Sequence, residues 1–296
     1  MVKRFKKVAV LMGGPSSERE ISLRSGAAVS RGLRAAGYEV VDVTVDGADV
    51  SLPAGVGAAF IALHGEFGED GGVQRVLREQ GVPYVGSDPD ASRQSFDKRL
   101  SKRIFVDADI PTPEYEVLRR GDVPTLPLPV VVKPPRQGST IGISRVADPV
   151  EWPAALEEAF RYDDEAIVER FIEGRELTVG IVGETVLPVV EIVAPGGWYG
   201  YVAKYTIGAT EYRVPAPLST AVTRACQDLA WRVFQALGCR GFGRVDFRLT
   251  PGGAPYVLEM NTIPGFTETS LLPKAARAAG IEFPDLCDRI MNLAAL

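Results

Sequence analysis

The stretch Gly241–Pro273, GFGRVDFRLTPGGAPYVLEMNTIPGFTETSLLP, most constrains what this chain can fold into. Phe242–Leu249 reads as a strand, the PGG at 251–253 as a turn, and Ala254–Met260 as a second strand, so the pair predicts a β-hairpin. Three polar groups interrupt this apolar background: Asp246, Glu259 and Asn261. Glu259 and Asn261 are two apart and share a face. Folding about the turn brings Asp246 beside them. Two carboxylates and an amide oxygen form an all-oxygen cluster, suited to a hard cation such as Mg²⁺ and unsuited to zinc. Carboxylates on one face of apolar strands repel one another unless a cation sits among them. Arg244 shares the face of Asp246, and a guanidinium there serves a reaction that develops negative charge on oxygen. The plain alternative is an edge hairpin with ordinary surface charges.

The chain of 296 residues has room for one large domain or two to three small ones. A net charge of −5 argues against a nucleic-acid binder, and no apolar run is long enough to span a bilayer. The basic-then-apolar start MVKRFKKVAVLMGG is too short for a signal peptide and reads as a buried first strand. Cys226, Cys239 and Cys287 are widely spaced in apolar contexts, as in a protein of the reducing cytoplasm. With His64 the one histidine, zinc catalysis is not expected.

Lys7–Met12 predicts a strand buried on both faces, as in a parallel sheet. The helix Glu18–Ala36 follows, with Ser16 or Ser17 as its cap and Gly37 at its end, then strands Glu39–Val45 and Ala58–Leu63, the helix Val73–Gln80 and a short strand Pro83–Val85. That order is a small open α/β sheet, in which ligands sit at the carboxyl ends of strands. The loops GGPSSERE and HGEFGEDG both fall there. The first could bind an anion at a helix start, but Glu18 better suits an ammonium group, and both loops could be plain turns.

One helix, Ala91–Ala108, is predicted next, with Lys98 and Lys102 on one face, which ordinarily means a solvated basic face. Leu118–Pro129 reads as loop. The strand Pro129–Pro134 ends in Lys133 and runs into PRQGSTIGISRV, either a phosphate cradle or a flexible hairpin turn. Helix Val150–Phe160 and strand Ala166–Phe171 come next, then a second strand within 172–183 after a turn at Gly174, and strand Val186–Val193. Glu176 could take a ribose hydroxyl pair or be surface alternation. Ala194–Pro217 reads as a long loop of the kind that forms lids. Helices Thr220–Leu237, Ser270–Gly280 and Phe283–Leu293 complete the pattern.

Together, GGPSSEREISLRSG, HGEFGEDG, DKRLSKRIF, VVKPPRQGSTIGISRV, ERFIEGRELTVGIVG, AKYTIGATEYRVPAP, GCRGFGRVDFRLT and YVLEMNTIPGFTETSLLPKAARAAG resemble, in order over nearly the whole chain, the D-alanine–D-alanine ligase family of the ATP-grasp superfamily. The resemblance implies an α/β protein, α+β overall, of three-domain ATP-grasp architecture: an N-terminal open parallel α/β sheet (1–93), then a central unit (94–179) and a C-terminal catalytic unit (180–296) that grip ATP. It implies ligation of two D-alanines through an acyl phosphate, with ATP and two Mg²⁺ (or Mn²⁺), for peptidoglycan precursors. Glu18 corresponds to the residue meeting the first D-alanine's ammonium, supported by Ser139 and Tyr205. Lys98, Lys133 and Lys204 correspond to phosphate contacts, Glu169 and Ile172 to the adenine site, and Glu176 to the ribose ligand. Asp246, Glu259 and Asn261 correspond to the metal ligands, Arg244 and the Gly265 N–H to the donors that steady the tetrahedral oxyanion. Ser270 and Leu271 match the site for the second D-alanine's carboxylate, and His64 and Glu69 lie beside the first substrate. The expected partners are D-alanine, ATP and a second copy of the chain in a homodimer, with no nucleic acid and no membrane. Three positions depart from the family pattern: Gly200-Tyr201-Val202 replaces an acidic DYE-like run, Thr140 follows Gly138-Ser139 in place of a serine, and Thr269 stands where a histidine is usual. A ligase for D-lactate or D-serine and a non-catalytic nucleotide binder are the competing readings.

Overall fold

The structure is a computed structural model, and it describes residues 3–197, 200 and 210–296. Its first unit follows the expected pattern. β1 (Lys7–Gly13), fully apolar between its ends, runs parallel to β2 (Glu39–Val45) and β3 (Ala58–Ile61) in the order β2-β1-β3. α1 (Arg19–Ala35) covers one face. It ends as foreseen at Gly37, whose N–H donates to Arg34 O while Tyr38 N–H donates to Leu33 O, closing the last turn. Its start differs: Glu18 occupies the N-terminal cap without a side-chain cap, and Ser16 Oγ instead accepts from the Glu18 N–H. α2 (Gly72–Glu79) lies on the opposite face, burying Val73 and Leu77. The expected strand at 83–85 reduces to single bridges of Tyr84 to Ala59 and to Ala295.

The expected single helix over 91–108 is two, α3 (Pro89–Phe96) and α4 (Lys98–Asp107). Asp97 leaves helical geometry with ψ 105 and its carboxylate accepts from Arg99 N–H, so the same side chain that ends α3 caps α4. The expected loop at 118–129 begins later than foreseen, because Leu118 and Arg119 belong to β4 (Tyr115–Arg119). β4, β5 (Val130–Lys133), β6 (Ser144–Val146) and β7 (Glu165–Arg170) form an antiparallel sheet in the order β4-β7-β5-β6, covered by α5 (Trp152–Ala159).

A third sheet holds β8 (Arg175–Val182), β9 (Thr185–Val186), β10 (Val190–Val193), β11 (Glu211–Arg213), β12 (Phe242–Leu249) and β13 (Pro255–Asn261). Its order is β11-β10-β8-β12-β13, with β9 beside β8. Position 179/180 lies inside β8. The strand foreseen at 186–193 is broken into β9 and β10, and the loop foreseen at 194–217 contains β11, antiparallel to β10. Within that loop, residues 198–199 and 201–209 lie outside the described residues. The opening hairpin is β12–β13, joined in antiparallel register with one irregularity between Asp246 and Phe247.

α6 (Thr220–Ala236) packs its Cys226, Leu229 and Val233 on β8 and β12. After α7 (Leu271–Ala278), α8 (Phe283–Asn292) returns to the first unit, and its Leu286, Cys287 and Ile290 share one core with Val29 and Leu33 of α1. Phe266 sits where this core crosses into the third sheet, its ring 5.6 Å from Phe60, 5.8 Å from Phe242 and 5.6 Å from Phe283 between centroids. Phe266→Ala should therefore cost about 3–5 kcal/mol of stability, and Phe266→Leu less, as measured by urea unfolding.

Candidate active site

The site is built on the alternation of β12. Val245, Phe247 and Leu249 point into the core under α6. Arg244, Asp246 and Arg248 share the opposite face, where Arg248 lines a cleft between the second and third sheets. Register sets Asp246 directly opposite Glu259 and Arg244 opposite Asn261, so the cluster read from the hairpin is brought together. Arg244 donates to both Asp246 oxygens at 2.8 Å, Thr178 Oγ1 donates at 2.6 Å and Asn261 Nδ2 at 3.0 Å. The irregularity in β13 inserts Leu258, so that Leu258 and Glu259 both line the cleft while Val257 turns into the core.

The cleft is lined by Lys98, Lys133, Glu169, Ile172, Glu176 and Glu259, which gathers the sequence-predicted nucleotide residues on one surface. Lys204 lies outside the described residues. Lys98 opens α4, donates to Gln137 O at 2.7 Å and stands 3.2 Å from Glu259 Oε2. Lys102 is not on a solvated basic face as expected: it is 0 % exposed. Its ammonium lies 2.9 Å from Glu169, which Lys133 also meets at 2.6 Å, and it donates to Thr112 Oγ1. Burial pulls Lys102 down to about 8, with Glu169 opposing and Lys133 assisting. Burial pushes the Glu169 carboxyl up, but the two lysines more than offset it and hold it below the usual carboxylate range.

The loop after Lys133 reaches the first unit. Ser139 Oγ donates to Glu18 Oε1, so two members of the expected first-substrate group touch. Tyr205, the third, lies outside the described residues. Ser139 and Thr140 take φ of 51° and 64°, a conformation L-residues rarely adopt and one that functional loops retain. A side chain at Gly138 would put its Cβ 2.6 Å from Glu18 Oε2, so glycine is what lets the loop close on that carboxylate. Arg136 pins the loop's other side through two hydrogen bonds to Asp163.

His64 stands beside this group by its backbone, whose carbonyl accepts from Ser16 Oγ at 2.6 Å. Its ring turns inward: Nδ1–H donates to Ile263 O at 3.0 Å and Nε2 accepts from Ser25 Oγ at 3.1 Å. Ser25 Oγ in turn accepts from Phe266 N–H. Burial holds His64 below its ordinary pKa, so the ring stays neutral and ties the loop bearing Gly265 to the first unit. Glu69 accepts from Gly65 N–H at 2.9 Å. Burial and then the Glu18 charge push its carboxyl well above the usual range, while Gly65 N–H and Lys98 pull the other way. Ser270 occupies the N-cap position of α7 without a side-chain capping bond, its Oγ accepting instead from Thr267 N–H in the preceding loop, and Leu271 is the helix's first residue. Gly265 lies against Ser270, and the Thr269 hydroxyl is 3.3 Å from that of Thr267.

One residue escaped the sequence reading and another was misplaced by it. Arg248 was legible in principle as the third member of the period-two series Arg244, Asp246, Arg248. Lys102 was seen, but its burial against Glu169 depends on pairing α4 with a sheet distant in sequence, which helix spacing cannot reveal.

Among the described residues, no three His, Cys, Asp or Glu side chains gather into a cage for a metal ion. Asp246, Glu259 and the Asn261 amide nevertheless offer hard oxygens in facing positions. That set fits Mg²⁺, which keeps several waters and takes one or two carboxylates together with substrate phosphates.

The family model described as "D-ala D-ala ligase C-terminus" matches residues 104–292. The chain is 53% identical over 296 residues to a D-alanine–D-alanine ligase of Syntrophotalea carbinolica, covering 98% of this chain and 97% of the relative. Among solved structures, a D-alanine–D-alanine ligase from Bacillus anthracis complexed with ATP superposes with a TM-score of 0.85 at 32% identity, over 97% of each chain. The VanG D-Ala:D-Ser ligase from Enterococcus faecalis superposes with a TM-score of 0.86 at 29% identity, over 98% of this chain and 99% of that one. With this kinship over almost its whole length, the chain belongs to the D-alanine–D-alanine ligase family.

Proposed function

We propose that the protein joins two D-alanines to D-alanyl-D-alanine, releasing ADP and phosphate, and that the cleft between its second and third sheets binds ATP. One observation carries the reading. Glu259, directly opposite Asp246 in the hairpin, stands 3.2 Å from Lys98 on the same cleft that Lys133 and Glu176 line. Family membership adds independent support.

The chemistry accounts for the residue types. A carboxylate is a poor electrophile until a phosphoryl group is transferred to it. In that transfer the bond from the γ-phosphorus to the ADP oxygen breaks and a bond to the carboxylate oxygen forms. Positioning and neutralisation of charge do most of the work, a task for Lys98, Lys133 and Lys204. Asp246, Glu259 and Asn261 would hold Mg²⁺ (two ions, or Mn²⁺), which when bound supplies charge neutralisation at the phosphates. The second amine then attacks the acyl carbon, loses a proton, and phosphate departs. Arg244 and the Gly265 N–H are the donors assigned to the oxyanion. Glu18 and Ser139, with Tyr205, hold the first D-alanine's ammonium, and His64 and Glu69 frame that end. The α7 start at Ser270 and Leu271 offers backbone N–H groups to the second carboxylate. Glu169 and Ile172 hold the adenine, and Glu176 the ribose. The 197–215 segment, with Tyr205, is assigned to keep water from the acyl phosphate.

We further assign a three-part organisation at 1–93, 94–179 and 180–296, with β8 tying the last two, and a homodimer. A cytoplasmic location is supported by three cysteines that are all free. No helix of the described residues is long and apolar enough to cross a membrane.

ADP release that depends on D-alanine, with dipeptide formed in equal amount, tests the reaction; D-serine and D-lactate supplied as competing acceptors test its second substrate. ATP turnover indifferent to D-alanine would refute the ligase reading. Glu259→Gln should lose most turnover at ordinary Mg²⁺, and chelation of the metal should do the same to the wild type; near-normal activity in either case removes the metal assignment. Arg244→Lys keeps the charge but loses the planar fork. Turnover should fall by about 100-fold, with a smaller change in ATP affinity; equal losses in both would make Arg244 a binding residue.

A further inference from the structure

Arg248 is a buried cation, 7 % exposed, that none of the assigned roles uses. It lies directly opposite Glu176 on the neighbouring strand β8 and projects to the cleft face with it. Its Nη1 donates to Glu176 Oε2 at 3.3 Å, and its Nε donates to Ile172 O at 3.0 Å. The guanidinium also lies 5.4 Å from the centre of the Phe171 ring, which Arg145 approaches at 4.2 Å from its own position. Residues 171–174 are the link between β7 of the second sheet and β8 of the third. That link runs hard against β12: a Cβ at Gly174 would fall 1.9 Å from Leu249 O. One side chain on β12 therefore holds the link at Ile172, stacks on it at Phe171 and orients the carboxylate that follows it. Separate donors at Nε and Nη, in one rigid plane, make this possible; a lysine ammonium reaches one point only.

We propose that Arg248 is a positioning residue for the nucleoside half of ATP: it fixes the Glu176 carboxylate toward the ribose hydroxyls and the Ile172 backbone against the base, and so sets the protein's preference for a ribonucleotide. This rests on the reading of the cleft as the ATP site and goes beyond it by naming what holds the ribose ligand in place. A carboxylate held by a charged donor keeps one orientation toward the sugar, whereas one that has lost that donor samples more rotamers and loses much of the discrimination between a sugar with both hydroxyls and one lacking the 2′-hydroxyl.

The test is steady-state ADP release at saturating D-alanine with ATP and with 2′-deoxy-ATP, for wild type, Glu176→Gln, Arg248→Met and Arg248→Lys, each first checked by thermal unfolding. Wild type should favour ATP in kcat/KM by about tenfold, the scale of one hydrogen bond to a charged group. Glu176→Gln and Arg248→Met should both bring that ratio to within about threefold, with the effect of Arg248→Met falling on KM for ATP more than on kcat. Arg248→Lys should lie between, and it carries the same measurement should the methionine variant fail to fold. If the Glu176 variant loses the preference while both Arg248 variants keep it, the positioning role is wrong and the ATP reading stands. A merely structural loosening would raise both KM values together and leave the ratio intact, which also overturns the proposal. If wild type shows no preference and Glu176→Gln changes nothing, the ribose reading fails and this inference falls with it.

Discussion

Everything at the site depends on one strand serving two environments at once. β12 is central in its sheet, hydrogen-bonded to β8 on one side and β13 on the other. Its apolar residues are sealed under α6, so its polar residues have no freedom to slide: a slip by one residue would exchange the two sets and drive two arginines and an aspartate into the apolar core, away from their partners. The cost of that exchange is what holds Asp246 opposite Glu259 and Arg248 opposite Glu176. The core therefore specifies the chemistry by fixing register, without touching a reacting group.

The charges gathered by this register would be unfavourable alone. Lys98, Lys102, Lys133, Arg244 and Arg248 are met by Glu259, Glu169, Asp246 and Glu176 over short distances. Buried pairs of this kind contribute little net stability, because desolvation nearly cancels the attraction. What they provide is orientation. Lys102 illustrates the balance: wholly buried, it keeps its proton near neutral pH because Glu169 lies beside it, and in return Glu169 is held between two cations and aimed at the cleft.

Much of this was legible in the sequence where chemistry and local period coincide. KVAVLM reads as a strand buried on both sides, and RVDF against LEMN across a PGG turn reads as a hairpin with its polar groups on one face. The family resemblance then supplied roles that spacing cannot, such as that of Ser139. What local period could not reveal shares a cause. Asp97 ends one helix and caps the next, which a continuous helical period hides. β4, β6 and β11 are short, and each becomes a strand only through its partner in the sheet. The inward turn of His64 depends on Ser25 and Ile263, residues distant in the chain, so nothing near position 64 announces it.

The return of α8 to the first unit has a consequence for how the chain becomes a protein. The apolar stripe of α1, with Val29 and Leu33, is covered by residues 283–294, and Tyr84 pairs with Ala295. As the polypeptide emerges from the ribosome, the first sheet can assemble early, yet the side of α1 that α8 covers stays bare until residues 283–294 arrive. The first sheet's unit is thus completed only after the strands of the other two sheets have been made, and until then an apolar stripe of α1 is exposed. Such a chain leans on speed, or on a holding chaperone, for an interval proportional to its own length.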